Sequence, residues 1–394
     1  MKRFKKQIPN GVQDYLPAEC YNKWLTEERI RRCFYYAGYD EIQTPTFEYY
    51  DVFASGVGSI RQEKMLKFID QNGCILVLRP DMTMPIARAA STRALPLPAR
   101  LFYIAPVFGY DGSFYSSQKE FTQAGVELLG VSGPEADAEV IALAVEAMKA
   151  AGLKNFQIDI GQVEFFKGLM EEAGLSGEDS EQLRDYVDQK NDLAAELFLR
   201  RRNIPPEVTR RIAKMSALYG GPEVFDAAEG FSDHPRCRAA VENLRTVYRI
   251  LEKFGVADCI FVDFGMLQSL EYYSGLIFRG ISGDIGHPLL SGGRYDRLLG
   301  EFSETGESIP ATGFALGIKR TMIALERQGS LEKLPPVEYV VSGDKSAAAL
   351  VYERIRALRA RGSRVECALH LEREELVRYA VKKGAAPLYV EGEK

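Results

Sequence analysis

The chain has no CxxC pair. Its six cysteines, Cys20, Cys33, Cys74, Cys237, Cys259 and Cys367, are spread so widely that the nearest two stand thirteen positions apart. That spacing suggests neither a metal site nor a disulfide framework, and the thiols read as buried small hydrophobes in a reducing compartment. No apolar run approaches the ~20 residues of a membrane span. The N-terminal MKRFKKQIPNGVQDYLP is basic but carries no apolar h-region, so no signal peptide is read and a cytoplasmic location is expected. Positive charge is not in excess: the formal net charge is −5. This argues against a nucleic-acid binder, although a local basic patch is compatible with an acidic total. No stretch matches a P-loop or a dinucleotide fingerprint, and no cofactor is expected.

What is present is a soluble, globular composition, 46% hydrophobic and 27% charged over 394 residues, long enough for two or three domains. The most informative stretch is Arg100 to Gly130, RLFYIAPVFGYDGSFYSSQKEFTQAGVELLG. Leu101 to Phe108 is aromatic and β-branched, and reads as a strand. From Phe121 the chain alternates: Phe121, Gln123, Gly125 and Glu127 fall on one side, Thr122, Ala124 and Val126 on the other. The GYDGSFYSSQK between them is turn chemistry, which predicts a long antiparallel hairpin. Gln123 and Glu127 sit amid apolar neighbours. Either this face is solvated, or it is a ligand-facing floor on which Glu127 holds a cation and Gln123 offers a donor and an acceptor.

Before the hairpin, Glu19 to Tyr36 reads as a helix with Trp24, Ile30 and Phe34 on its apolar positions and Gly38 past its end. Glu41 to Pro45 reads as a short strand. Phe68 to Leu78 reads as a hairpin with an Asn-Gly turn, leading into Arg79-Pro80-Asp81-Met82-Thr83 and a helix over 84–94. Asp81 or Thr83 is suited to cap that helix. After the hairpin, Ser132-Gly133-Pro134-Glu135 reads as a capping box, followed by a helix to Gly152, a strand over 156–160 and a helix over 162–173. From about 176 to 255 the chain is charged and helical, and its arginines read as a solvated or interdomain face. Strand texture returns at 259–264, around Tyr272 and Tyr273, at 289–296 including Tyr295, and at 311–320. Leu334-Pro335-Pro336 is a linker. The tail alternates strand, helix, strand, helix, strand, which predicts a small α/β unit with a parallel sheet.

Taken together, these blocks resemble a histidyl-tRNA synthetase catalytic core, from about Pro9 to Glu326. Thr44-Pro45 with Glu48 resembles the motif at the dimer interface, and Leu78 to Thr83 resembles the LRPE-x-T run. The central hairpin resembles motif 2, Leu270-Glu271-Tyr272-Tyr273 the histidine-specific loop, and Gly313 to Arg320 motif 3. The resemblance implies an α+β fold: a class II aminoacyl-tRNA synthetase-like antiparallel sheet flanked by helices over 1–333, with the helical insertion, and a small C-terminal α/β domain over 334–394.

Departures from that pattern bear on function. The motif 2 arginine of the synthetase is replaced in Phe108-Gly109-Tyr110-Asp111, and the arginine of its histidine loop is replaced by Gln268. Both lost groups are cations facing an anionic transition state, and each such loss typically costs on the order of 10²–10³ in rate. Between Gly109 and Glu120 only Lys119 is basic, and only about 60 residues follow the linker, fewer than a synthetase anticodon-binding domain needs. No tRNA charging is expected. The resemblance carries over the histidine pocket as Asp81, Thr83, Gln123, Glu127, Tyr272, Tyr273 and Tyr295, with Arg320 as a retained nucleotide or anion contact; Asp81 is one methylene shorter than the family's glutamate. A core that keeps the pocket and loses the catalysis is similar to the regulatory subunits of ATP phosphoribosyltransferase. That similarity implies no catalysis, the short-form catalytic subunit as partner, L-histidine as effector, and a homodimer core within a hetero-octamer, with the 109–119 loop as the moving part. The alternatives are a divergent histidyl-tRNA synthetase and a synthetase-like module in RNA sensing or stress signalling.

Overall fold

The computed structural model describes residues 6–54, 60–109, 118–267, 273–303 and 305–392. Two compact units result, Met1–Leu331 and Glu332–Lys394. In the first, β1 (Asp40–Glu41), β2 (Phe47–Tyr49), β3 (Leu66–Ile69) and β4 (Ile75–Leu78) precede the central hairpin of β5 (Ala99–Phe108) and β6 (Glu120–Leu129). Then follow β7 (Gln157–Gln162), β8 (Tyr219–Gly220), β9 (Ile260–Asp263), β10 (Leu276–Ile281), β11 (Leu290–Arg294) and β12 (Ala311–Gly317). A nine-stranded sheet runs β1-β5-β6-β12-β11-β10-β7-β9-β8, with β2-β4-β3 as a separate small sheet. Within the large sheet only β1 with β5 and β7 with β9 pair in parallel. The expected α+β class with a mainly antiparallel sheet is what forms.

Period two gives this sheet two chemically different faces. On one, Phe102, Val126, Phe314 and Phe278 are all buried. They meet α1 (Pro17–Tyr36), α4 (Pro134–Ala151) and α11 (Ile318–Arg327) in one core. Phe34 of α1 stands 5.7 Å from the Phe102 ring and 5.8 Å from Phe314. Each side chain buried there contributes about 1.5–3 kcal/mol. The opposite face carries Gln123, Gly125 and Glu127.

Local chemistry departs from the sequence reading at several points. Trp24 is exposed, because α1 buries Asn22, Thr26, Ile30 and Phe34 instead. The strand expected over 41–45 is only Asp40–Glu41. The Asn-Gly hairpin has a five-residue loop between Ile69 and Ile75; Asp70 organises it by accepting from the Asn72 and Cys74 amides at 2.8 Å each. The capping box at Ser132 does not form. Gly133 occupies the cap position of α4 at φ 96° without a side-chain hydrogen bond. Cys20, Cys74 and Cys367 are exposed rather than buried.

Helices α5 (Val163–Ala173), α6 (Gly177–Asp188), α7 (Asp192–Arg201), α8 (Pro206–Ala213), α9 (Val224–Glu229) and α10 (Pro235–Lys253) follow β7. Several of their arginines are paired: Arg202 with Asp179, Arg210 with Glu207, and Arg211 with Glu172. The long α10 buries Val241, Leu244 and Leu251 in the same core as α4 and α5. Glu332–Lys394 is a three-stranded parallel sheet around Tyr339–Gly343, with helices Ala348–Ala360 and Arg373–Lys383 supplying the crossovers. Among the described residues no helix is long and apolar enough to cross a membrane.

One buried ion pair joins sheet to helix. Arg294, at the end of β11, reaches Asp137 in the first turn of α4 at 2.8 Å, and also donates to the Gly133 carbonyl at 3.2 Å. Both side chains are almost fully buried. Removing one partner of such a pair leaves an uncompensated buried charge. Asp137→Ala is therefore expected to lower stability by about 3–5 kcal/mol in urea unfolding followed by circular dichroism. The double substitution Asp137→Ala with Arg294→Met is expected to recover most of that loss; additive losses would contradict the pairing.

Candidate functional site

The floor of the site is the second face of the sheet. Gln123, Gly125 and Glu127 of β6 lie opposite Gly317, Ala315 and Gly313 of β12. Gly313 and Ala315 in turn face Gly293 and Ser291 of β11. Small residues pave a trench that longer side chains can enter. A Cβ at Gly313 would lie 2.0 Å from Oε2 of Glu127, and one at Gly293 would lie 2.8 Å from the Tyr273 ring. Neither site tolerates a side chain, so these glycines make the room that the polar groups use.

Glu127 is only 1% exposed, which rules out the solvated-face reading. Its Oε1 accepts from the Thr83 hydroxyl at 2.8 Å and its Oε2 from the Tyr295 hydroxyl. Burial pushes its carboxyl up to about 8, against the two hydrogen bonds, which favour the anion; the neighbouring Asp81 adds to the rise. Thr83, Glu127 and Tyr295 therefore form one interlocked cluster. Tyr273 lies buried in the same apolar cluster as Tyr295. Tyr272 and Gln268 lie outside the described residues, as does most of the hairpin tip at 110–117.

Asp81 reaches the site because Arg79 fixes the chain before it. The buried Arg79 guanidinium donates to the carbonyls of Thr44, Pro45 and Pro106 at 2.6, 3.0 and 2.9 Å. The chain then turns into α3 (Thr83–Thr92). Asp81 Oδ1 accepts from the Met84 amide at 3.0 Å, so this carboxylate does cap the helix. Burial raises its pKa while the backbone hydrogen bonds oppose the rise.

A cavity of about 370 Å³ is lined by Asp81, Gln123, Ser291, Ala315, Lys319 and Arg320 among others, but not by Thr83, Glu127, Tyr273 or Tyr295. The buried Oε1 of Gln123 has no hydrogen-bond partner. Arg320 donates to the Pro288 carbonyl at 3.0 Å, and the Lys319 ammonium meets Gln13. Gly109 also lines the cavity, and a Cβ there would lie 3.0 Å from the Lys64 carbonyl oxygen. A side chain at the position where a synthetase carries arginine would need the Lys64 carbonyl to give by a few tenths of an ångström. A larger hollow of about 780 Å³, lined by Lys154, Gln157, Arg279 and His287, contains none of the expected site residues.

Sequence reasoning missed Tyr103, whose side chain is 1% exposed. It lies on β5 directly opposite Gly125. Alternation along β5 puts it on one face; only the hairpin register says which.

The raised Glu127 pKa has a signed consequence. The folded state keeps the proton to about pH 8, whereas the unfolded chain releases it near 4.5. Stability held below pH 4.5 is therefore lost as pH rises toward 8. Glu127→Gln removes this loss, so its melting temperature relative to wild type is expected to climb between pH 5 and pH 8. A pH-independent difference would contradict the assignment.

Similarity to known proteins identifies the family. The family model for histidyl-tRNA synthetase matches residues 11–321. The ATP phosphoribosyltransferase regulatory subunit of Acetivibrio thermocellus is 47% identical over 98% of this chain and 92% of its own length. That of Clostridium acetobutylicum is 38% identical over 99% and 96%. The crystal structure of an ATP phosphoribosyltransferase regulatory subunit/histidyl-tRNA synthetase from Bacillus halodurans superposes with a TM-score of 0.87 at 29% identity, covering both chains fully. A Nostoc histidyl-tRNA synthetase shares the fold, with a TM-score of 0.81 at 23% identity over 97% of this chain and 90% of its own. The chain belongs to the family of ATP phosphoribosyltransferase regulatory subunits, built on the histidyl-tRNA synthetase fold.

Proposed function

We propose that this chain is a non-catalytic regulatory subunit that binds L-histidine in the Glu127 site. It activates a short-form ATP phosphoribosyltransferase catalytic subunit and conveys feedback inhibition on the first step of histidine biosynthesis, the joining of ATP to phosphoribosyl pyrophosphate. The observation that carries the reading is the coexistence of an intact polar cluster, Thr83–Glu127–Tyr295, with a glycine at position 109. The cluster can satisfy imidazole nitrogens, whose two positions require matched donors and acceptors. A site that pairs both rejects other side chains, because its own buried groups would be left unpaired. Adenylation, by contrast, needs cations at the developing phosphate charge, and Gly109 and Gln268 supply none.

Histidine shifts activity only if it binds two arrangements of the assembly unequally. The assembly assigned to it is a homodimer core within a hetero-octamer; the small sheet β2-β4-β3, which exposes Phe47, Tyr49, Phe68, Ile69 and Ile75, is an apolar face suited to association. The location assigned to the complex is the cytoplasm. A second reading, a divergent histidyl-tRNA synthetase, rests on Arg320, which still lines the cavity.

Mixing the full chain with a short-form catalytic subunit separates the two. The regulatory reading expects a faster phosphoribosyl transfer that L-histidine suppresses. With Glu127→Gln, activation is expected to persist while the half-inhibitory histidine concentration rises at least tenfold. Histidine-dependent exchange of pyrophosphate into ATP, together with charging of tRNA, would overturn the reading in favour of the synthetase.

A further inference from the structure

The hollow of about 780 Å³ opens on the same face of the large sheet as the polar floor. Gly125, Ala315, Ser291, Arg279 and Asp159 are successive cross-strand partners from β6 to β7, so they form one row across that face. Ala315 and Ser291 line the 370 Å³ cavity, whereas Arg279 lines the hollow. Pro288 belongs to both walls, and the Arg320 guanidinium donates to its carbonyl at 3.0 Å. The hollow is a separate compartment beside the site already described.

Balancing buried charge explains part of Arg279. Its Nε donates to Asp159 at 3.1 Å and its Nη2 to Asp263 at 3.3 Å. Both carboxylates are almost fully buried, and neither lines the hollow. Two of the three guanidinium nitrogens are thereby committed. The third, Nη1, donates to nothing among the described residues, and Arg279 remains partly exposed. The two acids hold a planar donor in one orientation and leave an edge of it over.

The rest of the lining has matching chemistry. Lys154 and His287 stand with Arg279, and no carboxylate does. Asp284, the one acid in the loop between β10 and β11, accepts from the Gln328 amide at 2.7 Å. The same amide donates to the Asn155 carbonyl at 3.1 Å, which ties this loop to the turn before β7. Gly283 and Gly286 of the loop have open space where a Cβ would stand, so a ligand can come close to its backbone. Phe156, Ile281 and Ile285 give the hollow an apolar side. Its volume falls within the roughly 300–1,000 Å³ of small-molecule pockets. A complementary ligand is anionic at one end and flat and apolar at the other. We infer that the hollow binds a nucleoside 5′-phosphate, the phosphate on Arg279, Lys154 and His287 and the base against Phe156, Ile281 and Ile285. This does not depend on what the Glu127 site binds.

Arg279 is a poor residue to test, since its removal would strand Asp159 and Asp263. Lys154 and His287 are exposed, and the double substitution Lys154→Glu with His287→Ala leaves that buried pair intact. Calorimetric titration of the full-length chain with adenosine 5′-monophosphate, inorganic phosphate and adenosine is the measurement. The nucleotide is expected to bind more tightly than either fragment, because it alone fills both sides. The double variant is expected to bind it at least about tenfold more weakly, the loss of charge-assisted contacts, with an unchanged melting temperature. Binding that survives the double substitution would overturn the inference; its abolition by Arg320→Ala instead would place the nucleotide in the 370 Å³ cavity. No binding of the nucleotide, or equal binding of inorganic phosphate, would overturn it as well.

Discussion

A carboxyl group buried in the middle of a β-sheet constrains everything around it. Unpaired, the Glu127 carboxylate would cost several kcal/mol to hold away from water. The fold answers with two hydroxyl donors from different parts of the chain, Thr83 at the start of α3 and Tyr295 after β11. For those donors to arrive, Arg79 must clamp the entry to α3, and Gly313 must leave space for the carboxylate. With its pKa raised to about 8, the group is mostly protonated at neutral pH and able to respond to what binds beside it.

On the proposed reading, the same arrangement separates recognition from catalysis. Recognition would use hydrogen bonds made by regular elements: strand β6, the residue after β11 and the first turn of α3. Catalysis in a synthetase uses cations at the rim, and there the chain has changed. Gly109 stands against the Lys64 carbonyl, where a side chain has little room. Position 109 at the rim can change without disturbing the floor, because the floor is fixed by sheet register. On the proposed reading, the pocket binds an amino acid without activating it, which suits sensing, and the exposed apolar sheet β2-β4-β3 is a surface on which subunits can associate.

Much of this was legible in the sequence, for physical reasons. The hairpin, the terminal α/β unit and the Gln123/Glu127 alternation follow from period-two patterning and turn chemistry, which are local. Asp81 was legible as a helix cap from its place before α3. Trp24, the missing capping box at Gly133 and the exposed cysteines were not, since which helix face is covered depends on partners distant in the chain. Tyr103 could not be assigned because its relation to Gly125 is a matter of cross-strand register, set by a tip whose length does not dictate its closure. Tyr295 was placed only through family resemblance; its contact with Glu127 spans 168 positions.

The most direct test of the account is the titration of the Glu127 carboxyl itself. Carbon-13 NMR of the glutamate-labelled chain, with Glu127→Gln identifying the resonance, reads its pKa in the empty and histidine-saturated protein. The account predicts a value near 8 in the empty site, falling when L-histidine donates to the carboxylate. A carboxyl that titrates near 4.5 and ignores histidine would contradict it.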